Sequence, residues 1–205
     1  MMVDQAAVLV AGHCIFTHTP ALCVDKNACW ISDLQIFQKY QTEDEQESGF
    51  TQVLTWTAWT KNRDYQYDLA GIKLAQPLGK NAGWLGFGYN NDPQNEFFPT
   101  AKFEHTSYPS NPASGIEKWS GYFASVEDHH FYTDGLSNDG TSGAGAHSND
   151  HFQIIYSVLS HHKIGTLTQT AHTRITPDKF FALHDWITGN IKDKNFIFYM
   201  PFFTD

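Results

Sequence analysis

Three short segments hold the residue types that nucleophilic catalysis requires. Val8-Leu9-Val10-Ala11-Gly12-His13-Cys14 is a strand-like run that ends on a histidine beside a cysteine. Tyr67-Asp68-Leu69-Ala70-Gly71-Ile72-Lys73-Leu74 places one carboxylate at the mouth of an otherwise apolar stretch. Asn138-Asp139-Gly140-Thr141-Ser142-Gly143-Ala144-Gly145 sets a serine in a glycine-rich turn, where backbone N–H groups can point outward together. Serine is a poor nucleophile until a neighbouring base takes its proton. Histidine titrates in the right range for that, and a buried carboxylate fixes its tautomer and stabilises the imidazolium. Glycine ahead of the serine lets the backbone donate to a developing oxyanion, worth roughly 3–4 kcal/mol per donor in studied cases. Taken singly, each segment also reads as ordinary structure: a core histidine, a turn aspartate, a loop.

The elements that must position these residues are short. Runs rich in Val, Ile, Thr, Tyr and Phe at Ala7–Ala11, Thr51–Trp59, Tyr67–Leu74, Gln153–Leu159 and Thr166–Thr170 are separated by Gly, Asn, Asp and Pro clusters, and predict an all-β sandwich or barrel. One helix is signalled near the end: Thr176 can cap it, Pro177 suits its first position and Gly189 follows its last apolar residue. Phe180, Leu183, Trp186 and Ile187 fall at helical spacing and predict its buried face. Beyond it, the apolar stretch Asn195–Phe203 must pack on the body or form a sticky patch.

Composition narrows the function classes. With 13 Lys+Arg against 22 Asp+Glu, the 205-residue chain carries a net charge of −9, which disfavours nucleic acid. With 17% charged and 41% hydrophobic residues it is expected to fold, and no run approaches a membrane span. The acidic run Thr42–Glu47 reads as a solvated loop. No cofactor is expected. Among eleven histidines, His129-His130 and His161-His162 are adjacent and point to opposite faces of a strand, and His147 and His151 are separated by turn residues, so a metal site is disfavoured. Gly83–Gly88 does not match a phosphate loop, and its Trp84 and Phe87 argue for packing.

Taken together and in order, the segments resemble the trypsin/chymotrypsin-like serine proteases, most closely the glutamyl endopeptidase branch. The chain order His, Asp, Ser is that of the chymotrypsin-type fold. Ala11-Gly12-His13-Cys14, Asp68 through Leu74 and Gly140-Thr141-Ser142-Gly143 are similar to that family's motifs around its three catalytic groups. Gly83-Trp84-Leu85-Gly86-Phe87-Gly88, Ser107-Tyr108-Pro109-Ser110-Asn111 and Thr173-Arg174-Ile175-Thr176 resemble its further segments, so the likeness covers about residues 6–189. The resemblance implies two antiparallel six-stranded β-barrels with a C-terminal α-helix, in a single peptidase domain over 1–205. The sub-barrels fall at about 1–80 and 81–175, the helix at 177–188 and the apolar tail at 190–205. It implies His13 as general base, Asp68 as its orienting carboxylate, Ser142 as nucleophile and the Gly140 and Ser142 amides as oxyanion hole. The substrate is then a protein or peptide and the location extracellular.

The branch recognises an acidic side chain with a histidine in a His-x-x-Gly context. His162-Lys163-Ile164-Gly165 fits it, with His161 one residue away, and implies cleavage after Glu or Asp. Asp134 and Asp139 ahead of the serine leave a trypsin-like preference for basic residues as the other reading. The chain departs from the family in reading Gly143-Ala144-Gly145 where a proline usually follows, in placing only twelve residues ahead of His13, and in its apolar tail. An incomplete first barrel is therefore expected. By the same resemblance, Cys14 is the unpaired member of the three cysteines and Cys23 pairs with Cys29. The alternative function is an inactive homologue of this fold acting as a binding module.

Overall fold

Strands form where β-branched and aromatic residues alternate, and the chain turns where glycine, proline and asparagine collect. The computed structural model describes residues 1–23, 27–31, 34–38, 45–91, 96–111, 115–148, 153–165 and 168–191, with the backbone of 196–199. Its first half holds β1 (Met2–Asp4), β2 (Ala7–Val10), β3 (Phe16–Thr17), β4 (Cys29–Trp30), β5 (Ile36–Gln38), β6 (Gln46–Ser48), β7 (Phe50–Trp56) and β8 (Ala70–Leu74), with a helical turn α1 (Thr57–Asn62). After the short helix α2 (Gly79–Ala82) come β9 (Gly86–Phe87), α3 (Phe97–Thr100), β10 (Phe103–Ser107), β11 (Glu117–Gly121), β12 (Ser125–Val126), β13 (His130–Asp134), β14 (Gly145–Ser148), β15 (Ile154–His162) and β16 (Gln169–Arg174). The chain closes with α4 (Pro177–Thr188) and β17 (Phe196–Tyr199).

Two sheets carry the fold. The first has five strands in the order β1-β2-β8-β7-β17, all antiparallel. The second runs β11-β10-β14-β15-β16-β13-β12, with β9 added parallel to β15 to make eight strands. This is the expected all-β, two-barrel architecture with a C-terminal helix; among the described residues the two main sheets hold five and eight strands where six and six were anticipated, and β3 with β4 and β5 with β6 form two further pairs. Each sheet encloses its own apolar interior: Val8, Ile15, Val53, Ile72 and Leu74 in the first, Phe98, Phe103, Phe123, Phe131 and Ala146 in the second. In the second the rings approach closely, with centroids 4.4 Å apart for Phe98–Phe131 and 4.5 Å for Phe123–Phe131.

A third cluster joins the halves. Leu9, Leu54 and Leu69 of the first half, Ile155 and Val158 of the second, and Leu183 and Trp186 of α4 are buried together. The helix therefore seals the seam on which both sheets meet. Thr176 occupies its N-cap position, although its hydroxyl donates to the Asp178 carboxylate and accepts no backbone N–H of the helix, and Gly189 ends the helix in the left-handed region.

Three strand boundaries differ from the sequence expectation. The run Thr51–Trp59 splits, because Trp59 turns inward within α1 and its Nε1 donates to the Phe16 carbonyl at 3.0 Å. Tyr65–Tyr67 forms a 3₁₀ turn capped by Asp64, so only Ala70–Leu74 of the next run pairs as strand. The run expected at Thr166–Thr170 lies further on, at Gln169–Arg174, where it bonds both β13 and β15; residues 166–167 are outside the described set. Cys23 and Cys29 form a disulfide and Cys14 is free.

Candidate active site

Strand register brings His13 and Asp68 together. Val10, the last residue of β2, pairs with Ala70, the first of β8. His13 lies three residues beyond that rung on one strand and Asp68 two before it on the other, so both emerge at the same end of the sheet. Asp68 is fully buried. Its Oδ1 accepts the His13 backbone N–H at 2.7 Å, and its Oδ2 lies 2.8 Å from His13 Nδ1. The His13 side chain remains 34% exposed, which leaves its other face to a cleft.

Ser142 arrives from the other sheet, on the turn between β13 and β14. Gly143 has φ +88°, and a Cβ there would come within 3.3 Å of the Val10 and Ala11 backbone, so this turn abuts the chain just before His13 only because the residue is glycine. Two backbone bonds tether the turn to β15: Gly143 N–H to the Leu159 carbonyl, and Leu159 N–H to the Ala144 carbonyl, both at 2.8 Å. The amides of Thr141 and Ala144 are also used within the turn. Among the described residues none accepts from the N–H groups of Gly140 or Ser142, the pair expected to meet an oxyanion.

Ser160 on β15 links the two halves of the site, and sequence reasoning missed it. Its hydroxyl donates to Asp68 Oδ2 at 2.5 Å and lies 2.7 Å from His161 Nδ1, while its carbonyl accepts from Ser142 Oγ at 3.5 Å. That last bond is too long to hold the serine hydroxyl firmly. No hydrogen bond joins Ser142 to His13 among the described residues; such contacts are commonly loose before substrate binds. The signal for Ser160 was present as a polar Ser-His-His run closing an apolar strand.

Electrostatics follow the same contacts. Burial pushes the Asp68 carboxyl upward, but the donors from His13 and Ser160 outweigh it and hold the carboxyl below its ordinary range. Burial lowers His13, and the hydrogen bond to Asp68, together with the Cys14 side chain, outweighs burial and raises its pKa well above 6.5. The site thus favours an ion pair between the two.

The two candidate specificity histidines separate. His161 lines a cleft of about 320 Å³ with His13, Trp59 and Tyr65. Its ring centroid lies 4.2 Å from that of Tyr65. His162 is exposed, and its Nε2 bonds the Ser137 carbonyl at 3.1 Å. Ser137 in turn lines a second cavity of about 220 Å³ that also includes His105, Leu136, Thr141, Leu159 and Thr170, with neither His161 nor His162 on its wall. Asp134 reaches this cavity; Asp139 does not line it. Below the cavity the His172 ring is fully buried, with neither nitrogen paired among the described residues, and stacks on His105 at 5.5 Å. Among the described residues no three His, Cys, Asp or Glu side chains gather as metal ligands, and His151 lies outside those residues. In the Gly83–Gly88 stretch, Phe87 packs on Phe180 while Trp84 is exposed.

No family model matches the sequence, and no curated protein does. Solved structures do. A Glu endopeptidase in complex with MPD matches with a TM-score of 0.73 at 14% identity, over 94% of this chain and 84% of that one. This chain has the chymotrypsin-like protease fold. A thermostable serine protease from an extremophilic microorganism matches with a TM-score of 0.70 at 12% identity, over 93% and 88% of the two chains. The protease Anisep from Arthrobacter nicotinovorans matches with a TM-score of 0.61 at 16% identity, over 85% and 80%. At these identities the likeness is one of fold, and within that fold His13, Asp68, Ser160 and Ser142 collect at the seam of the two sheets.

Proposed function

We propose that the protein is a single-domain serine endopeptidase. Ser142 Oγ attacks the carbonyl carbon of a peptide bond while its proton passes to His13. The developing oxyanion faces the Gly140 and Ser142 N–H groups, and His13 returns the proton to the departing amine. Water then hydrolyses the acyl-enzyme ester with His13 again as base, and the Ser142 hydroxyl is restored. The observation that carries this reading is the fully buried Asp68 carboxylate on His13 Nδ1 at 2.8 Å, tied through Ser160 to the glycine turn that bears Ser142. A partly exposed histidine paired to a buried acid, two residues beyond the stretch that the glycine turn abuts, fits that reading, as do the Gly140 and Ser142 amides, which have no acceptor among the described residues.

A fluorophosphonate probe tests the nucleophile. Labelling of the wild type that vanishes in Ser142→Ala is the expected result; a wild type that stays unlabelled favours the inactive binding module. The finer reading is cleavage after Glu or Asp, with His162, the histidine of the His-x-x-Gly run, as the recognising group. It rests on the family resemblance and on the bond from His162 to Ser137 at the cavity wall. Peptides differing only at the residue before the scissile bond decide it: faster cleavage after Glu or Asp is expected, faster cleavage after Lys favours the trypsin-like reading, and equal rates for Glu, Lys and Leu overturn both. Extracellular action is proposed with it, on the resemblance and the Cys23–Cys29 disulfide. No described helix is long and apolar enough to cross a membrane.

A further inference from the structure

The pairing of β15 with β16 slips between Leu159 and His161. In a regular strand the side chains of Ser160 and His161 would point to opposite faces, whereas an irregularity of this kind re-aims one of them. Here both meet, with Ser160 Oγ 2.7 Å from His161 Nδ1. The hydroxyl has one proton, and Asp68 Oδ2 at 2.5 Å is an ionised acceptor that takes it. Ser160 Oγ must then accept from His161, so the neutral imidazole carries its proton on Nδ1. The ring is fixed in that pose by Tyr65, at 4.2 Å between centroids, and by the edge of His130 at 5.6 Å.

We propose that His161 is a positioning residue that sets the charge felt by His13. Its Nδ1–H occupies the lone pair of Ser160 and commits the Ser160 proton to Asp68, so that Asp68 accepts from His13 N, His13 Nδ1 and Ser160 Oγ together. Without the His161 donor the Ser160 hydroxyl is free to turn to other acceptors. Asp68 then binds the imidazolium more strongly, and His13 becomes a base that is harder to deprotonate. The catalytic part of this statement rests on the proposed protease function; the electrostatic part does not. The titratable side chains that face His161 are Asp68, His13, His130, His162 and Tyr65. Burial, with His130 beside it, lowers the His161 pKa to about 4, so the ring is neutral across the working range. Cys14 also faces His13 and is common to every variant compared.

The test is the NMR titration of the His13 ring protons in the whole protein, assigned by their loss in His13→Ala. His161→Phe keeps a ring for Tyr65 and removes the donor, while His161→Asn restores an N–H near the position of Nδ1. The His13 midpoint is expected to rise by about half a unit or more in the Phe variant and to return to the wild-type value in the Asn variant. If catalysis is present, the acid limb of kcat/KM moves with it. Ser160→Ala should raise the midpoint similarly, and adding His161→Phe to it should change nothing further. An unmoved midpoint in both His161→Phe and Ser160→Ala, or a raised KM alone in His161→Phe, overturns the proposal and leaves His161 as a substrate contact. An unlabelled wild-type Ser142 overturns the protease reading instead, and the titration still decides the role of His161.

Discussion

At the scale of single residues, Asp68 determines the properties of the site. An uncompensated buried carboxylate would be costly, and three donors compensate it: the backbone and ring of His13 and the hydroxyl of Ser160. Because those donors depress its pKa in the fold, the stability Asp68 lends is present above the unfolded value of 3.8 and is lost as pH falls through the lower folded value. His13, raised, lends stability that is full below 6.5 and lost as pH climbs through its folded pKa. Urea midpoints should therefore fall on acidification below pH 3.8, and Asp68→Asn should flatten that acid dependence. An acid limb unchanged in the variant would place the transition in other carboxyls. The same substitution should lower kcat by about 10⁴, as in studied triads, because an amide NH₂ cannot accept from the His13 ring in the working tautomer.

At the scale of elements, α4 is held to the first sheet by one close approach. A Cβ on Gly71 of β8 would lie 2.5 Å from the Trp186 ring, so the indole rests directly on the strand backbone. Trp186 is fully buried, its Nε1 donates to Gln52 Oε1 at 2.7 Å, and its carbonyl accepts from Lys73 Nζ at 2.7 Å. Gly71→Ala is expected to cost about 1–3 kcal/mol through overpacking, read as a lower urea midpoint. An unchanged midpoint would mean that the helix slides freely, contrary to its place in the shared core. The helix itself was legible because its start, its stop and its apolar spacing are local signals. The irregularity in β15 that turns Ser160 and His161 toward Asp68 was not, since it arises from pairing with β16.

At the scale of the whole molecule, part of the apolar tail packs on the body as a strand. Phe196–Tyr199 pairs antiparallel with Trp56 through Val53 and covers the β7 edge of the first sheet. An uncovered edge strand is a template for self-association. A chain ending after Ile191 should therefore melt at a lower temperature and elute partly as larger species in size-exclusion chromatography. Unchanged melting and elution would mean that the β7 edge needs no cover. The two sheets and α4 share one buried cluster, so the seam that holds His13 and Ser142 is also the place where the halves are joined.

The sequence by itself determined the class of fold, the terminal helix and the three segments with His13, Asp68 and Ser142 as candidates, because strand composition, capping residues and glycine-rich turns act over a few neighbours. The tertiary structure decided which groups meet. His13 and Asp68 are brought together by the register of β2 on β8, Ser160 joins them from 92 residues beyond Asp68, and β17 returns to β7 from the far end of the chain. Such contacts depend on strand pairing and packing between segments remote in sequence, and no local pattern of residue types encodes which partner a buried carboxylate or an open strand edge will find.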